Sequence, residues 1–384
     1  MRQPLQTALT RAVLAHMESN TTATAGDITR NPVGVYTDPA WLAREQAVLF
    51  RRHPLLMGFS CQLPRAGSFI TDELSGTPLL ITRGVDGQVR AFLNVCRHRG
   101  ARVAQGTGHV DKYFHCPYHG WAYDTCGALA AIPDRRNFAG VEVQDQGLTE
   151  LPACERNGLL WVQPATGAPL DMADYLGALD GELGDYGFAG YHHYETRVLH
   201  QRMNWKMVID TFLEPYHFAV LHKDTVGPIF VPNLCLFHPF GLHLRETLPR
   251  RSITELRTLP QAQWDLIKHS ALVYVLFPNT VLVMQADHVE TWRVYPHQNQ
   301  PDACVMLLDF LTPEPAQTES ARRHWDRNMD LTIRTVAQED FPVSEGIQSG
   351  LTSGAQTYLT YGRNEPALAH FQDAVKRALG DIPE

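Results

Sequence analysis

The sequence predicts an α+β protein made of two parts with different texture. From His53 to about Pro164, short runs rich in β-branched and aromatic residues alternate with turn residues, the pattern of an all-β module. From residue 193 onward longer strand candidates alternate or carry β-branched residues. Helical segments interrupt and follow them, which predicts an antiparallel sheet wrapped on a long helix. A chain of 384 residues is long enough for two modest domains.

In chain order, Met1 to Asn20 reads as an amphipathic helix, since Arg11, His16 and Glu18 interrupt any long apolar core and rule out a signal peptide. Ser19 to Val35, with Asn31-Pro32 and Gly34, reads as an extended surface connection. Asp38-Pro39-Ala40 opens a helix running through Trp41 and Glu45 to about Phe50, with aspartate as N-cap and proline in the first turn. The all-β part then offers strands at Gly67–Ile70, Pro78–Arg83, Val89–Leu93, Lys112–His115 and Leu159–Val162, with Asp86-Gly87 as a hairpin signal. Residues 165–192 read as helical and connective. The second part offers strands at His193–Gln201, Gly241–Leu248, Leu272–Phe277, Thr280–Gln285, His288–Tyr295 and Ala303–Thr312. Helices are expected near Asn204–His222, Ser320–Gln338 and Glu365–Leu379. In the second of these, Trp325, Met329, Ile333 and Val336 make one apolar face.

A net charge of −8 without a basic run excludes nucleic acid as the main partner. No stretch of eighteen apolar residues exists, so no membrane span is expected. The seven cysteines (61, 96, 116, 126, 154, 235 and 304) are odd in number and scattered, which fits a reducing cytoplasm better than a disulfide framework.

Two loops of the all-β part carry the first chemical signal. Cys96-Arg97-His98 is followed, after seventeen intervening residues, by Cys116-Pro117-Tyr118-His119. Two thiolates and two imidazoles in interleaved Cys-x-His and Cys-x-x-His pairs suit a Rieske [2Fe–2S] cluster, in which one iron takes the cysteines and the other the histidines. Zinc sites instead pair like with like, Cys with Cys and His with His. Gly100, Pro117 and Gly120 are the residue types that such tight loops use.

The second signal is Glu214, His217 and His222. Two histidines with one distant carboxylate make the facial triad of a mononuclear Fe(II) site with open positions for dioxygen. Residues five apart lie about 140° apart on a regular helix, so His217 and His222 need a break or a π-type widening, which Pro215 can provoke. Asp340 is the expected third ligand, at the end of the helix near 320–338; Glu339 and Glu345 are its competitors.

With these motifs in view, the chain resembles the catalytic α subunit of a Rieske non-haem iron oxygenase of the ring-hydroxylating family. The likeness rests on Cys96/His98/Cys116/His119, Asn204-Trp205-Lys206, the acidic-x-x-His-x4-His segment and Asp340, in that order over nearly the whole chain. It implies a Rieske [2Fe–2S] domain, residues 45–165, inserted into a helix-grip catalytic domain formed by 1–44 and 166–384. It also implies a head-to-tail homotrimer, with or without a second kind of subunit. Electrons would come from NAD(P)H through a separate flavin/iron–sulfur reductase, in some systems by way of a ferredoxin. The reaction would be the O2-dependent hydroxylation or oxidative demethylation of a small organic substrate. Glu214 departs from the aspartate common at that position and is similar to the carnitine oxygenase-like, quaternary-ammonium branch. By resemblance it would bridge His217 to His119 of a neighbouring subunit. The rival reading is a pure electron carrier, which would leave some 220 residues after the cluster module without a purpose.

The substrate stays open between a small aromatic compound, as in aromatic hydrocarbon catabolism, and a trimethylammonium compound. Phe212, Tyr216, Phe218, Phe230 and Phe237 are candidate pocket walls, and Asp210 offers either a charge for a cation or a partner for Lys206 at helical spacing.

Overall fold

A seven-stranded antiparallel sheet organises the larger part of the chain. The computed structural model describes residues 1–381. It divides into one unit of Met1–Leu49, Leu176–Tyr186 and Tyr191–Glu384, and a second of Phe50–Tyr175 with Gly187–Gly190. The smaller unit therefore interrupts the larger in sequence, with its main breaks at 49/50 and 175/176, against the expected 44/45 and 165/166.

Across the large sheet the strands run His192–Gln201, Gln300–Thr312, Val289–His297, Thr280–Met284, Ser270–Leu276, His243–Pro249 and Leu236–Phe240. Six match sequence expectations. The seventh, Leu236–Phe240, contains Pro239, which breaks a strand pattern and is tolerated here because the strand lies at the sheet edge. Gly241, at φ +62°, turns that edge strand into its neighbour. Every residue of Ser270–Leu276 and Thr280–Met284 is buried, so these strands read as continuous apolar runs.

A long helical rod packs on the sheet. Trp325 lies against Phe310 with ring centroids 6.2 Å apart, and Phe341 meets Trp292 edge-on at 5.9 Å. The rod does not end near Gln338 as expected. It runs as α-helix Glu319–Thr332, π-helix Ile333–Asp340 and α-helix Phe341–Leu351. Pro342 can neither donate to the carbonyl four residues back nor clear it, and the widened segment directly before it accommodates that defect.

The helix expected over 204–222 is shorter, Trp205–Asp210, followed by turns and a 3-10 segment Tyr216–Ala219. Part of the expected surface connection is a strand, Thr29–Pro32, paired with Tyr358–Tyr361. The C-terminal helix Pro366–Ala378 agrees with the sequence reading.

The smaller unit is mostly β. It contains a five-stranded sheet and two three-stranded sheets, one of them Tyr113–His115, Ala122–Asp124 and Leu129–Ala131. Its core gathers Phe114, Trp121 and Tyr123 around Cys96 and Cys116.

Candidate metal centres

In the smaller unit both donor pairs sit in loops of the same design. The Cys96 N–H donates to the Ala101 carbonyl at 2.8 Å, and the Gly100 N–H returns to the Cys96 carbonyl at 2.9 Å. The second loop repeats this, Cys116 N–H to Trp121 carbonyl at 2.8 Å and Gly120 N–H to Cys116 carbonyl at 3.0 Å. Gly100 and Gly120 have φ of +78° and +71°, the left-handed region that closes each loop and favours glycine.

Both thiols are buried while the imidazoles lie nearer solvent, with His119 exposed. The His98 and His119 rings are 4.6 Å apart, and His98 stacks on Trp121 at 5.1 Å. Burial pushes the Cys96 thiol up, whereas hydrogen bonding to Tyr123 pulls it down. His98 Nδ1 is buried without a hydrogen-bond partner. A buried ring nitrogen left unpaired beside two adjacent soft sulfurs is what a cluster would satisfy, and the donor set fits the [2Fe–2S] group.

In the larger unit His217, His222 and Asp340 converge, their ligand atoms all within 4.8 Å of one another. His217 Nε2 lies 3.1 Å from His222 Nε2, and Asp340 Oδ1 lies 3.0 Å from His222 Nε2 and 3.5 Å from His217 Nε2. His222 and Asp340 are buried and His217 is half-buried.

The backbone explains the convergence. The helix stops at Asp210, the chain turns at Pro215, and the 3-10 segment presents His217. His222 follows in a loop whose carbonyl accepts from Gly227 N–H at 2.8 Å. A Cβ on Gly227 would sit 2.7 Å from the His222 carbonyl oxygen and 2.8 Å from that of Phe218, so the loop closes only around glycine. Of the break or widening expected at Pro215 the structure shows the break, and a π-helix lies elsewhere, around the third donor, Asp340. Such segments re-aim side chains by altering helical phase.

Carboxylates hold the far nitrogens of both histidines. Glu214 accepts from the His217 backbone N–H at 3.1 Å and is bound to its Nδ1. Glu339 meets His222 Nδ1 at 2.6 Å and accepts from the Thr225 hydroxyl at 2.7 Å. Both Nδ1 atoms are thus tied, which fixes ring orientation and frees both Nε2 atoms to face Asp340. Glu345 accepts from the Arg202 N–H at 2.8 Å and takes no part. Burial drives the His222 imidazole down, but Asp340 and Glu339 outweigh it and raise it; burial raises the Asp340 carboxyl. A buried carboxylate facing two imidazole lone pairs is a donor set that suits Fe(II).

Asp210 is used differently from either expectation. Tyr36 donates to it at 2.6 Å and Gln372 at 3.1 Å, while Lys206 pairs with Glu45 at 2.5 Å instead. The same Glu45 also accepts from the indoles of Trp41 and Trp205, both at 2.8 Å. Asp210 lines a cavity of about 230 Å³ together with Glu214, His217 and Asp340.

A second cavity, of about 300 Å³, also borders the triad. Phe212, Phe218 and Phe230 line it; Tyr216 is exposed instead, and Phe237 packs on His370 at 5.6 Å. Its polar lining, Arg250, Asp287, His288, Glu290 and Thr332, was not singled out in the sequence. The alternation His288-Val289-Glu290, with two charged groups on one face of a strand, was the available signal.

The fold is a mostly β module with two Cys/His loops inserted into an α+β domain in which two histidines and a carboxylate converge on a set that could hold a metal ion. The chain matches the family description "Ring hydroxylating alpha subunit (catalytic domain)" over residues 188–381 and "Rieske [2Fe-2S] domain" over 53–150. It is 30% identical to the carnitine monooxygenase oxygenase subunit of Escherichia coli over 368 residues, 91% of this chain and 94% of that one. It is 32% identical to the biphenyl 2,3-dioxygenase subunit alpha of Rhodococcus jostii over 273 residues, 68% of this chain but about half, 55%, of that one. A solved structure of the quaternary ammonium Rieske monooxygenase CntA with L-carnitine shares the fold, with a TM-score of 0.78, 19% identity, and 92% and 96% of the two chains covered. The chain belongs to the ring-hydroxylating alpha-subunit family, whose cofactors are the Rieske cluster and a mononuclear iron.

Proposed function

We propose that the chain is the terminal oxygenase component of an NAD(P)H-dependent system and oxidises a small organic substrate with O2. The convergence of His217 Nε2, His222 Nε2 and Asp340 Oδ1 on the wall of a cavity lined in part by phenylalanines carries this reading. In it, Cys96, His98, Cys116 and His119 hold the cluster, and His217, His222 and Asp340 hold the iron. When bound, the cluster supplies electrons singly and the iron supplies open positions for dioxygen. The chain's own residues do the rest. Glu214 and Glu339 orient the imidazoles, and the phenylalanine walls exclude water and position the substrate.

The assembly in this reading is a head-to-tail homotrimer in a reducing cytoplasm, served by a separate reductase. Two observations favour it: the His119 side chain is exposed, where a second copy could meet it, and no disulfide joins any of the seven cysteines, all among the described residues. No described helix is long and apolar enough to cross a membrane. Glu214, tied to His217, would then reach the partner subunit's His119 and carry the electron path.

The test is Glu214→Ala in protein reconstituted with a reductase. The variant should keep its iron and its cluster spectrum, yet lose nearly all substrate-dependent O2 uptake, with the reduced cluster failing to reoxidise in a single turnover. Turnover near the parent rate would overturn the bridge. Absence of substrate-dependent O2 uptake in the fully loaded parent would overturn the oxygenase reading.

A further inference from the structure

The larger cavity holds one charged group whose donors are largely unused. Arg250 follows the strand His243–Pro249 and reaches the cavity wall. Among the described residues its side chain has one hydrogen-bond acceptor, the neutral amide oxygen of Gln285 at 2.8 Å. Its Nε is buried with no partner, and its guanidinium lies 5.3 Å from the centre of the Phe230 ring. A guanidinium has five N–H donors in a planar fork that matches a carboxylate, and leaving a buried charged donor unpaired is costly.

The carboxylates of the same cavity are already engaged. Asp287 meets His288 Nδ1 at 2.8 Å and His324 Nε2 at 2.7 Å. Glu290 meets His288 Nε2 at 3.1 Å and accepts from the Thr332 hydroxyl at 2.7 Å. Burial drives the His288 imidazole down, but its hydrogen bonds to Asp287 and Glu290 outweigh that and raise it. Both acids lie near enough to Arg250 to support its charge against burial, but neither hydrogen-bonds it, so the guanidinium fork itself stays unclaimed.

Ring contacts relate Arg250 to the metal donors. Phe218 packs on His217 at 5.0 Å and on His222 at 5.5 Å, Phe230 packs on Phe218 at 5.6 Å, and Arg250 follows Phe230. Two phenylalanine rings thus lie between the guanidinium and the triad. A molecule of one aromatic ring or a short chain would span that stretch in a cavity of about 300 Å³.

We propose that Arg250 anchors the substrate through a carboxylate, so that the substrate class is a small carboxylate whose body lies along Phe218 and Phe230 with its oxidised carbon beside His217, His222 and Asp340. This deepens the oxygenase reading and rests on it. The shared chemistry is the carboxylate; an aromatic acid and a trimethylammonium acid are its two sources.

The experiment is calorimetric titration of the cluster- and iron-loaded full chain. Benzoate is compared with benzamide, and 4-(trimethylammonio)butyrate with butyltrimethylammonium. The source is read from which acid binds. At least one acid should bind on the order of tenfold or more tighter than its carboxylate-free partner. Arg250→Gln should erase that preference, and Arg250→Lys should restore part of it. Gln285→Glu, which sets a fixed carboxylate against the guanidinium, should erase it independently of any folding defect in the first variant. Equal affinity for acid and carboxylate-free partner, no binding of either acid, or an unchanged preference in Arg250→Gln would each overturn the proposal. Dioxygen uptake measured in parallel separates the two readings. Arg250-dependent binding without uptake in the loaded parent sinks the oxygenase reading and leaves the anchor. Uptake with a carboxylate-free compound, undiminished in Arg250→Gln, sinks the anchor and leaves the oxygenase.

Discussion

The two donor sets are built by opposite means. The four cluster residues lie between positions 96 and 119, and each pair is shaped by its own loop, closed by one left-handed glycine and a hydrogen bond back to the cysteine. The triad spans residues 217 to 340, and its donors leave irregular backbone: a 3-10 break after Pro215 and a π-helical segment in the long rod. The first site is local in sequence, two loops seated in the core of the smaller unit. The second exists only when segments more than a hundred residues apart are packed together.

That contrast predicts the largest effects. Cys116→Ser should abolish the Rieske absorption and EPR signals and all turnover, while the mononuclear iron stays bound. An unchanged cluster spectrum would remove Cys116 from the ligand set. Asp340→Ala should do the reverse, lowering iron from about three per chain to about two with the cluster signal intact. Glu339→Gln separates donor from orienting group. Since Glu339 holds His222 Nδ1 and does not join the converging atoms, its loss should weaken iron binding by about 10–100-fold without abolishing it. Complete loss of iron in that variant, with retention in Asp340→Ala, would mean that the two acids exchange roles.

Smaller effects test the scaffolds. Gly100→Ala puts a side chain at φ +78°, which costs about 1–2 kcal/mol, felt only at the cluster. Gly227→Ala meets two backbone oxygens and must move the His222 loop, so iron affinity should fall while the cluster spectrum holds. A cluster disturbed by Gly227→Ala would contradict the independence of the two sites.

The same contrast explains what could be read in the sequence. Cys-x-His and Cys-x-x-His with nearby glycines are complete instructions for a loop, because turn chemistry is local. Six of the seven large-sheet strands were visible through their apolar or β-branched runs, whereas Leu236–Phe240 was hidden by Pro239. The histidine spacing announced that the helix must be irregular, but the kind and place of the irregularity depend on packing; the π segment sits where Pro342 meets the rod's fit to Trp292. The role of Glu339 was out of reach for the same reason: neighbouring acids on a helix differ only in which way each faces. Arg250 was likewise one arginine among many until the cavity around it was closed.

The last prediction leaves both metal sites intact and concerns Asp210, which ties the triad's scaffold to distant segments. Tyr36, near the N-terminus, and Gln372, in the last helix, both donate to it, and Tyr36 also meets Tyr361 at 2.8 Å. Burial outweighs these hydrogen bonds and pushes the carboxyl up to about 7. An acid with a higher pKa folded than unfolded holds its proton more tightly in the native state. Its stabilising contribution is therefore full below the ordinary value of 3.8 and is lost as pH rises towards 7, by at most about 1.4 kcal/mol per pH unit. Asp210→Asn mimics the protonated acid in shape and does not titrate. In urea unfolding followed by tryptophan fluorescence, the parent should lose about 2 kcal/mol relative to the variant between pH 5 and 8. Bleaching of the cluster, which reports the other unit, should show the same pH dependence in both proteins. A parent–variant difference that stays constant with pH would mean that Asp210 is already ionised at pH 5, and a shifted bleaching profile would mean that the two scaffolds are coupled after all.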